Sequence, residues 1–542
     1  MPSPAGTSTL AGLGATLHLT LRRNWLFWLL WAVGLSLMMP ATLSQYETVI
    51  PPGSDPRLVI EPLRNNPTML ALLGPAFDLY DRGAFVFWRS GGFTSMMAGL
   101  AGGFGIIRAT RAEEDEGRIE LVRAGPIGRH APLAAAVLVG LLGCLLMAVL
   151  NAGLLIAGGL HPSGSIAAGL ALTANGFLFV GLGAVLAQVF DNARAARAWT
   201  LGVGLGGMFL LRALIDGSGA GSSVEPLRWA IPLEWPLLTR PFADERWWVF
   251  GLSFAAAALL VALAFVLEDR RDHGAGLRPE RLGRGYAGPA LSGAFGLAAR
   301  LHRGAAIGWS AGLLISAIAF GAMVLQIDAA FEGNDGIAET VRRMGGSGDI
   351  TTAFLLAILG ILTSIVAFMA ASLLGRLRSE ETSGHAEMVL ATSVSRWRYA
   401  ASHLVWALGL PVVLLVLIGA GLPLVQALSG AGFGAVWDLA RGAAGLVPGL
   451  VVVVGLGMVL LGWWPRAYSL IWILIGWSIF ASWFAALLNL PENVVKFQPW
   501  GHLSVIPRDT MNWTPFLVEL GVGIALLAVG LFGYRHRTLA GR

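Results

Sequence analysis

Long apolar stretches separated by short polar clusters set the rhythm of this chain. They predict an all-α polytopic membrane protein with about twelve spans. The first six run near 25–44, 84–107, 131–158, 165–190, 198–215 and 247–267, and the second six near 304–327, 350–373, 400–428, 442–462, 467–489 and 514–534. Each approaches the ~20 residues a helix needs to cross a bilayer. Sustained two-residue alternation is lacking, which argues against a membrane β-barrel.

The polar clusters are sided. Arg22 and Arg23 precede the first span. Arg108, Arg111, Arg118, Arg123 and Arg129 follow the second, and Arg194 and Arg197 the fourth. Arginines also fill 268–303, follow the eighth span (Arg376, Arg378, Arg396, Arg398) and close the chain (Arg535, Arg537, Arg542). All of these fall on one side if both termini are cytoplasmic, as basic residues in short loops favour. Arg240 and Arg441 break the pattern. The opposite loops carry Asp55, Glu61, Asp328, Glu332, Asp335 and Glu339.

Composition narrows the function. Of 542 residues, 56% are hydrophobic and 13% charged, against roughly 25% charged in soluble domains. The single cysteine, Cys144, rules out an internal disulfide and a multi-cysteine metal site. The first apolar run is long for a secretory signal, and no small-residue cleavage site follows it. Only one of 37 basic residues is a lysine, Lys496, and it follows "PENVV". The phosphate-cradling loop G-x-x-x-x-G-K-[ST] is therefore missing from this chain.

Two polar segments share one template. "EEDEGRIELVRAGPIGR" (113–129) and "EETSGHAEMVLATSVSR" (380–396) align without a gap at an offset of 267 residues. Glu113 pairs with Glu380, Glu114 with Glu381, Gly117 with Gly384, Glu120 with Glu387 and Arg129 with Arg396. "GLGAVLAQVF" (181–190) resembles "GLGMVLLGWW" (455–464) at offset 274, and Trp229 and Trp247 have counterparts in Trp500 and Trp513. These offsets predict two homologous six-span halves in parallel repeat: 1–267 and 304–542, joined by a basic cytoplasmic linker at 268–303. Positions four and seven apart share a helix face. Glu113, Gly117 and Glu120 are thus expected along one stripe, as are Glu380, Gly384 and Glu387, with each glycine admitting another backbone. Gly125-Pro126 marks a stop after the first segment. A solvated surface helix is the plain alternative, but its repetition in both halves weighs against it. No histidine or cysteine constellation accompanies the carboxylates, so no catalytic site is expected.

These segments resemble the cytoplasmic loop of ATP-binding-cassette type 2 exporter permeases, in particular the fused twelve-span permeases of actinobacterial antibiotic exporters of the polyketide antibiotic or tetronasin-resistance type. The resemblance extends over nearly the whole chain and includes "PLRWAIPLEWPLLTRP" (226–241) and "QPWGHLSVIPRD" (498–509), which look like that family's external segment before the sixth span. It implies a multi-pass protein of the bacterial plasma membrane. Its two coupling helices would dock on two copies of a separate ATPase that carries ATP and Mg. It implies partner contacts by Glu113, Glu114, Gly117, Glu120, Pro126 and Arg129 in one half. Glu380, Glu381, Gly384, Glu387 and Arg396 would serve the other. The copies differ, with Asp115-Glu116 against Thr382-Ser383 and Pro126 against Ser393, so unequal coupling is expected.

A path for hydrophobic substrates would draw on aromatic and methionine side chains. The candidates are Phe87, Trp88, Phe93, Met96 and Met97 on the second span, Met208 and Phe209 on the fifth, and Trp472, Trp477 and Phe480 on the eleventh. Arg89 adds a charge within the second span, where snorkelling is the alternative. Arg212 and Asp216 have the spacing of an i,i+4 pair. The loop 45–83 suggests short helices against the membrane. A proton-coupled secondary multidrug transporter is the rival reading, and it would call for acidic residues in mid-membrane.

Overall fold

The computed structural model describes residues 8–538 except 51–54, 65–66, 220, 273, 279–284, 292, 325–349 and 485–490. The acidic stretch 328–349 thus lies outside the described residues. The described chain is helical and falls into two compact units, Met1–Leu282 and Gly283–Arg542. The boundary lies inside the predicted linker.

In the first unit the helices relevant to function are α1 (Leu13–Ser36), α2 (Gly92–Ala109), α3 (Arg111–Asp115), α4 (Arg118–Arg123), α5 (Ala131–Ala157), α6 (Pro162–Val189), α7 (Ala193–Leu201), α8 (Leu210–Gly217) and α9 (Trp248–Asp269). In the second they are α10 (Ala294–Met323), α11 (Ile350–Thr382), α12 (His385–Leu390), α13 (Arg396–Leu404), α14 (Leu410–Gly421), α15 (Gly434–Gly445), α16 (Val447–Trp463), α17 (Ile471–Phe484) and α18 (Trp513–His536).

Helix α6 is the hub of the first unit, packed by α2, α5 and α9. In the second unit α16 lies along α18. There the seam is made by small residues: a Cβ on Gly455 would meet the Gly523 carbonyl, and one on Gly462 the Gly530 carbonyl. The seven-residue spacing on both helices brings the backbones together, which is how helices associate without a hydrophobic drive in lipid. Around α11, Leu359, Leu362, Val366, Leu373 and Leu374 are buried in the second unit's core.

Ten helices among the described residues are long and apolar enough to cross a membrane, two fewer than the sequence suggests. The predicted span 84–107 falls on Arg82–Ala109, which switches to π winding over Phe87–Gly91 and leaves only 18 residues in α2. Predicted span 467–489 begins in a 3-10 turn, Pro465–Leu470, followed by the 14 residues of α17. π winding does not by itself end a span, since Ala193–Gly217 contains one, and residues 485–489 of the second run lie outside the described residues.

Candidate functional site: two matched tips

At the end of α2 and again at the end of α11, the chain makes the same short excursion. Gly117 sits at φ 68°, ψ 5° between α3 and α4, and Gly384 at φ 77°, ψ −4° between α11 and α12. The Gly117 N–H donates to the Glu114 carbonyl at 2.9 Å, and that of Gly384 to the Glu381 carbonyl at 3.0 Å. Each glycine is therefore a left-handed helix terminator, a conformation costing an L-residue about 1 kcal/mol or more. This corrects the sequence expectation of one continuous stripe. Each segment is two helical pieces turned at the glycine, and a Cβ there would meet no other atom of the chain. The glycine is required by the turn, not by a neighbouring backbone within the protein.

The turn divides the carboxylates. Glu113 is held by Arg23 at 2.6 Å and Arg118 at 2.8 Å. The hydrogen bond with Glu113 pushes the Arg118 guanidinium further toward its charged form. Glu114 is a structural pin: Arg111 reaches it at 2.7 Å and Arg271 at 2.5 Å, with all three side chains nearly buried. Burial lowers the Arg111 guanidinium and Glu114 opposes that shift. In the second unit Glu380 binds Arg376 at 2.7 Å, and Glu381 takes both carboxylate oxygens to Arg537 at 2.6 and 2.7 Å. Glu114–Arg271 and Glu381–Arg537 are thus one ion pair made twice.

The basic ends repeat as well. Arg129 donates to the carbonyls of Glu268 at 2.6 Å and Arg271 at 3.2 Å. Arg396 donates to those of Arg535 at 3.5 Å and Arg537 at 2.5 Å. Each arginine closes the C-terminal end of its unit's last helix, where carbonyls are unpaired and the dipole is negative. Arg129 and Arg396 therefore act inside the chain.

Arg129 nonetheless keeps 46% of its side chain exposed, and Asp115, Glu116, Thr382 and Ser383 are exposed as well. Glu120, Pro126 and Glu387 are exposed. Beside the two glutamates stand Leu121, 81% exposed, and Met388, 65% exposed, again 267 residues apart. In the sequence this pair is no more than an apolar position of the shared template. The same exposed apolar position beside a carboxylate thus occurs in both units.

Within the first unit four of the proposed path residues gather and the others lie apart. In the first unit Met96 is buried with Leu100, Leu178 and Phe179, and Met97, Met208 and Phe209 pack against them. Phe87 lies in a separate core cluster, and Trp88 is buried and donates to the Gly74 carbonyl at 3.0 Å. Arg89 and Phe93 are exposed. In the second unit Trp472 packs on Phe368 with ring centres 4.9 Å apart, and Trp477 lies 5.8 Å from Phe480.

The far end of α8 carries a buried charge cluster. Arg228 lies 3.5 Å from Asp216, and Arg212 lies 3.9 Å from Glu234. Both Asp216 and Glu234 are almost fully buried. Burial first, and the Asp216 carboxylate second, push Glu234 up to about 8.

Comparison with known proteins supplies the family. Residues 291–535 match the family described as Multidrug efflux system permease Rv1217c, C-terminal domain. The chain is 35% identical over 540 residues to the Multidrug efflux system permease protein Rv1217c of Mycobacterium tuberculosis, covering 99% of this chain and 97% of the relative. The chain belongs to this family of multidrug efflux system permeases. The matched tips are accordingly features of a multi-pass membrane permease, and the C-terminal family region contains the whole second tip.

Proposed function

We propose that this permease is the transmembrane subunit of an ATP-driven exporter of hydrophobic drugs or antibiotics, built as two six-span halves with both termini in the cytoplasm. Two copies of a separate ATPase, carrying ATP and Mg, dock on the tips Glu120–Leu121 and Glu387–Met388. Their closure moves the tips and switches the halves between inward- and outward-facing states. The observation that carries this reading is the repetition of one tip, glycine turn, pinned carboxylate and exposed apolar residue, in both units. A pair of matched handles suits a pair of matched motors. The lack of a phosphate-binding loop in the sequence supports a nucleotide site on another chain.

The test is co-purification of the permease with a candidate ATP-binding-cassette ATPase of the same organism, followed by drug-stimulated ATP hydrolysis. Replacing Leu121→Asp together with Met388→Asp is expected to abolish both association and stimulation while the permease stays folded. Retention of a stoichiometric ATPase by that variant would overturn the docking site.

The rival, proton-coupled secondary transport, has the buried Asp216–Glu234 pair at the far end of α8 to draw on, outside the predicted spans. Transport that stops on collapse of the proton gradient and persists without ATP would select it.

A further inference from the structure

The two tips differ in what lies behind them. In the first unit an extended segment of the chain fills the space between the tip and the end of α6. The Ala275 carbonyl accepts from Arg111 at 3.2 Å and from Arg271 at 3.0 Å. The Gly276 N–H donates to the Asp191 carboxylate. Leu277 and Arg278 donate their N–H groups to the Gln188 and Val189 carbonyls at 3.1 and 2.9 Å, and Phe190 and Arg278 form a parallel bridge. A peptide is thus clamped by two arginines that share Glu114.

The second unit repeats the clamp in part, with one of its two arginines on the glutamate. Arg378 stands 267 residues beyond Arg111, and Arg537 stands 266 beyond Arg271. Glu381 grips Arg537 as Glu114 grips Arg271. Trp463 and Trp464 stand where Val189 and Phe190 do, at offset 274. Between them is a cavity of about 620 Å³ lined by Arg378, Arg537, Glu381, the two tryptophans and Arg466. Arg378 and Arg466 form no ion pair among the described residues. The cavity also reaches Ala386 and Glu387, so it is continuous with the exposed tip.

We propose that this cavity is a docking groove for an extended peptide segment of the subunit that engages the tip, with a backbone carbonyl seated between Arg378 and Arg537. The occupant's identity rests on the proposed ATPase partner; the groove itself does not. The peptide seated on the matching arginines of the first unit is the precedent for this occupant. Three lining arginines face Glu381 and Glu387, an excess of one. In the first unit two arginines on Glu114 hold a neutral carbonyl, and the Asp191 carboxylate takes the next N–H. Two indoles suit the flank of an extended backbone with small side chains at the clamp, as Ala275 and Gly276 provide in the first unit. The groove makes docking one-sided: one partner copy is gripped at the tip alone, the other at tip and groove.

The test uses the full-length permease in phosphatidylcholine nanodiscs and a fluorescent, acetylated peptide with the sequence Gly274 to Arg278 as probe. Saturable binding at one site per permease is expected, weakened at least tenfold by Arg378→Ala and by Trp464→Ala, with unchanged melting temperature in each variant. No saturable binding, or binding indifferent to both changes, overturns the groove. Loss of peptide binding in phosphatidylglycerol nanodiscs assigns the cavity to a lipid phosphate and also overturns it. Tighter binding to a variant shortened after Thr538 assigns the cavity to the chain's own last residues and overturns the proposal in the same way. In the assembled complex, a photo-crosslinker replacing Trp464 is expected to capture the ATPase. Peptide binding without that capture overturns the proposed occupant and leaves the tip-docking test standing on its own result.

Discussion

Glu114→Gln is the perturbation whose cost the structure sets most directly. Arg111 and Arg271 both grip this carboxylate, and their side chains are 0% and 4% exposed. Removing one partner of a buried ion pair costs about 3–5 kcal/mol, because the charge left behind has no solvent to turn to. The same change at Glu381 frees Arg537, which is 13% exposed and borders the 620 Å³ cavity. Water can replace the lost carboxylate there, so the cost falls to about 1–2 kcal/mol, the range of a charged hydrogen bond exchanged for solvent. At about 2–4 °C per kcal/mol for units of this size, the melting temperature should fall roughly 10 °C for Glu114→Gln and about a third as much for Glu381→Gln. Tryptophan fluorescence melting of the detergent-purified permease reads both values. Equal shifts, or a larger one at Glu381, would refute the argument that the clamps share a design but differ in access to water.

Other outcomes follow from the same geometry. Neutralising Glu113 and Glu120 should alter ATPase stimulation to a different degree than neutralising Glu380 and Glu387; equal losses from the two pairs would remove the inequality of the tips. Gly117→Ala and Gly384→Ala should each cost about 1 kcal/mol, the strain of a left-handed alanine, and a loss of several kcal/mol on melting would mean that a neighbour crowds the site. Glu234, raised to about 8 by burial and Asp216 against the opposing Arg212 and Arg228, keeps its proton in the folded state after the unfolded chain has lost it. Its stabilising effect is complete below about pH 4.5 and fades as pH rises toward 8, by up to ~1.4 kcal/mol per unit. A melting series over that window should slope downward and flatten in Glu234→Gln.

The long apolar runs made most helices legible, because a run of that length has few alternatives in lipid. Winding was not: nothing in 84–107 announces the π turn at Phe87–Gly91. The repeat of 113–129 in 380–396 located both tips. Helical periodicity puts Glu113, Gly117 and Glu120 on one face, since spacing cannot distinguish a glycine inside a helix from one at φ 68°. Nor can adjacency tell which of Glu113 and Glu114 faces inward. That depends on Arg271, 157 residues away in sequence. Arg111 and Arg378 register in the sequence only as markers of sidedness, although their offset of 267 matches the template. Leu121 and Met388 are apolar letters in the shared pattern, and their significance comes from exposure.

The left-handed glycines have a consequence for how such proteins can be rebuilt. A continuous helix would fix the direction of α4 and α12 by the axis of the span before it, so any new tip would drag on the membrane bundle. A glycine turn, closed by its own short hydrogen bond, lets each piece take its own direction, while Arg118–Glu113 in one unit and the buried Ala386 in the other keep it fastened to the span. Exchange between permeases should therefore be tolerated at the exposed positions Glu120, Leu121, Glu387 and Met388, and fail where it removes the buried Ala386 or the Arg118 and Arg123 ion pairs.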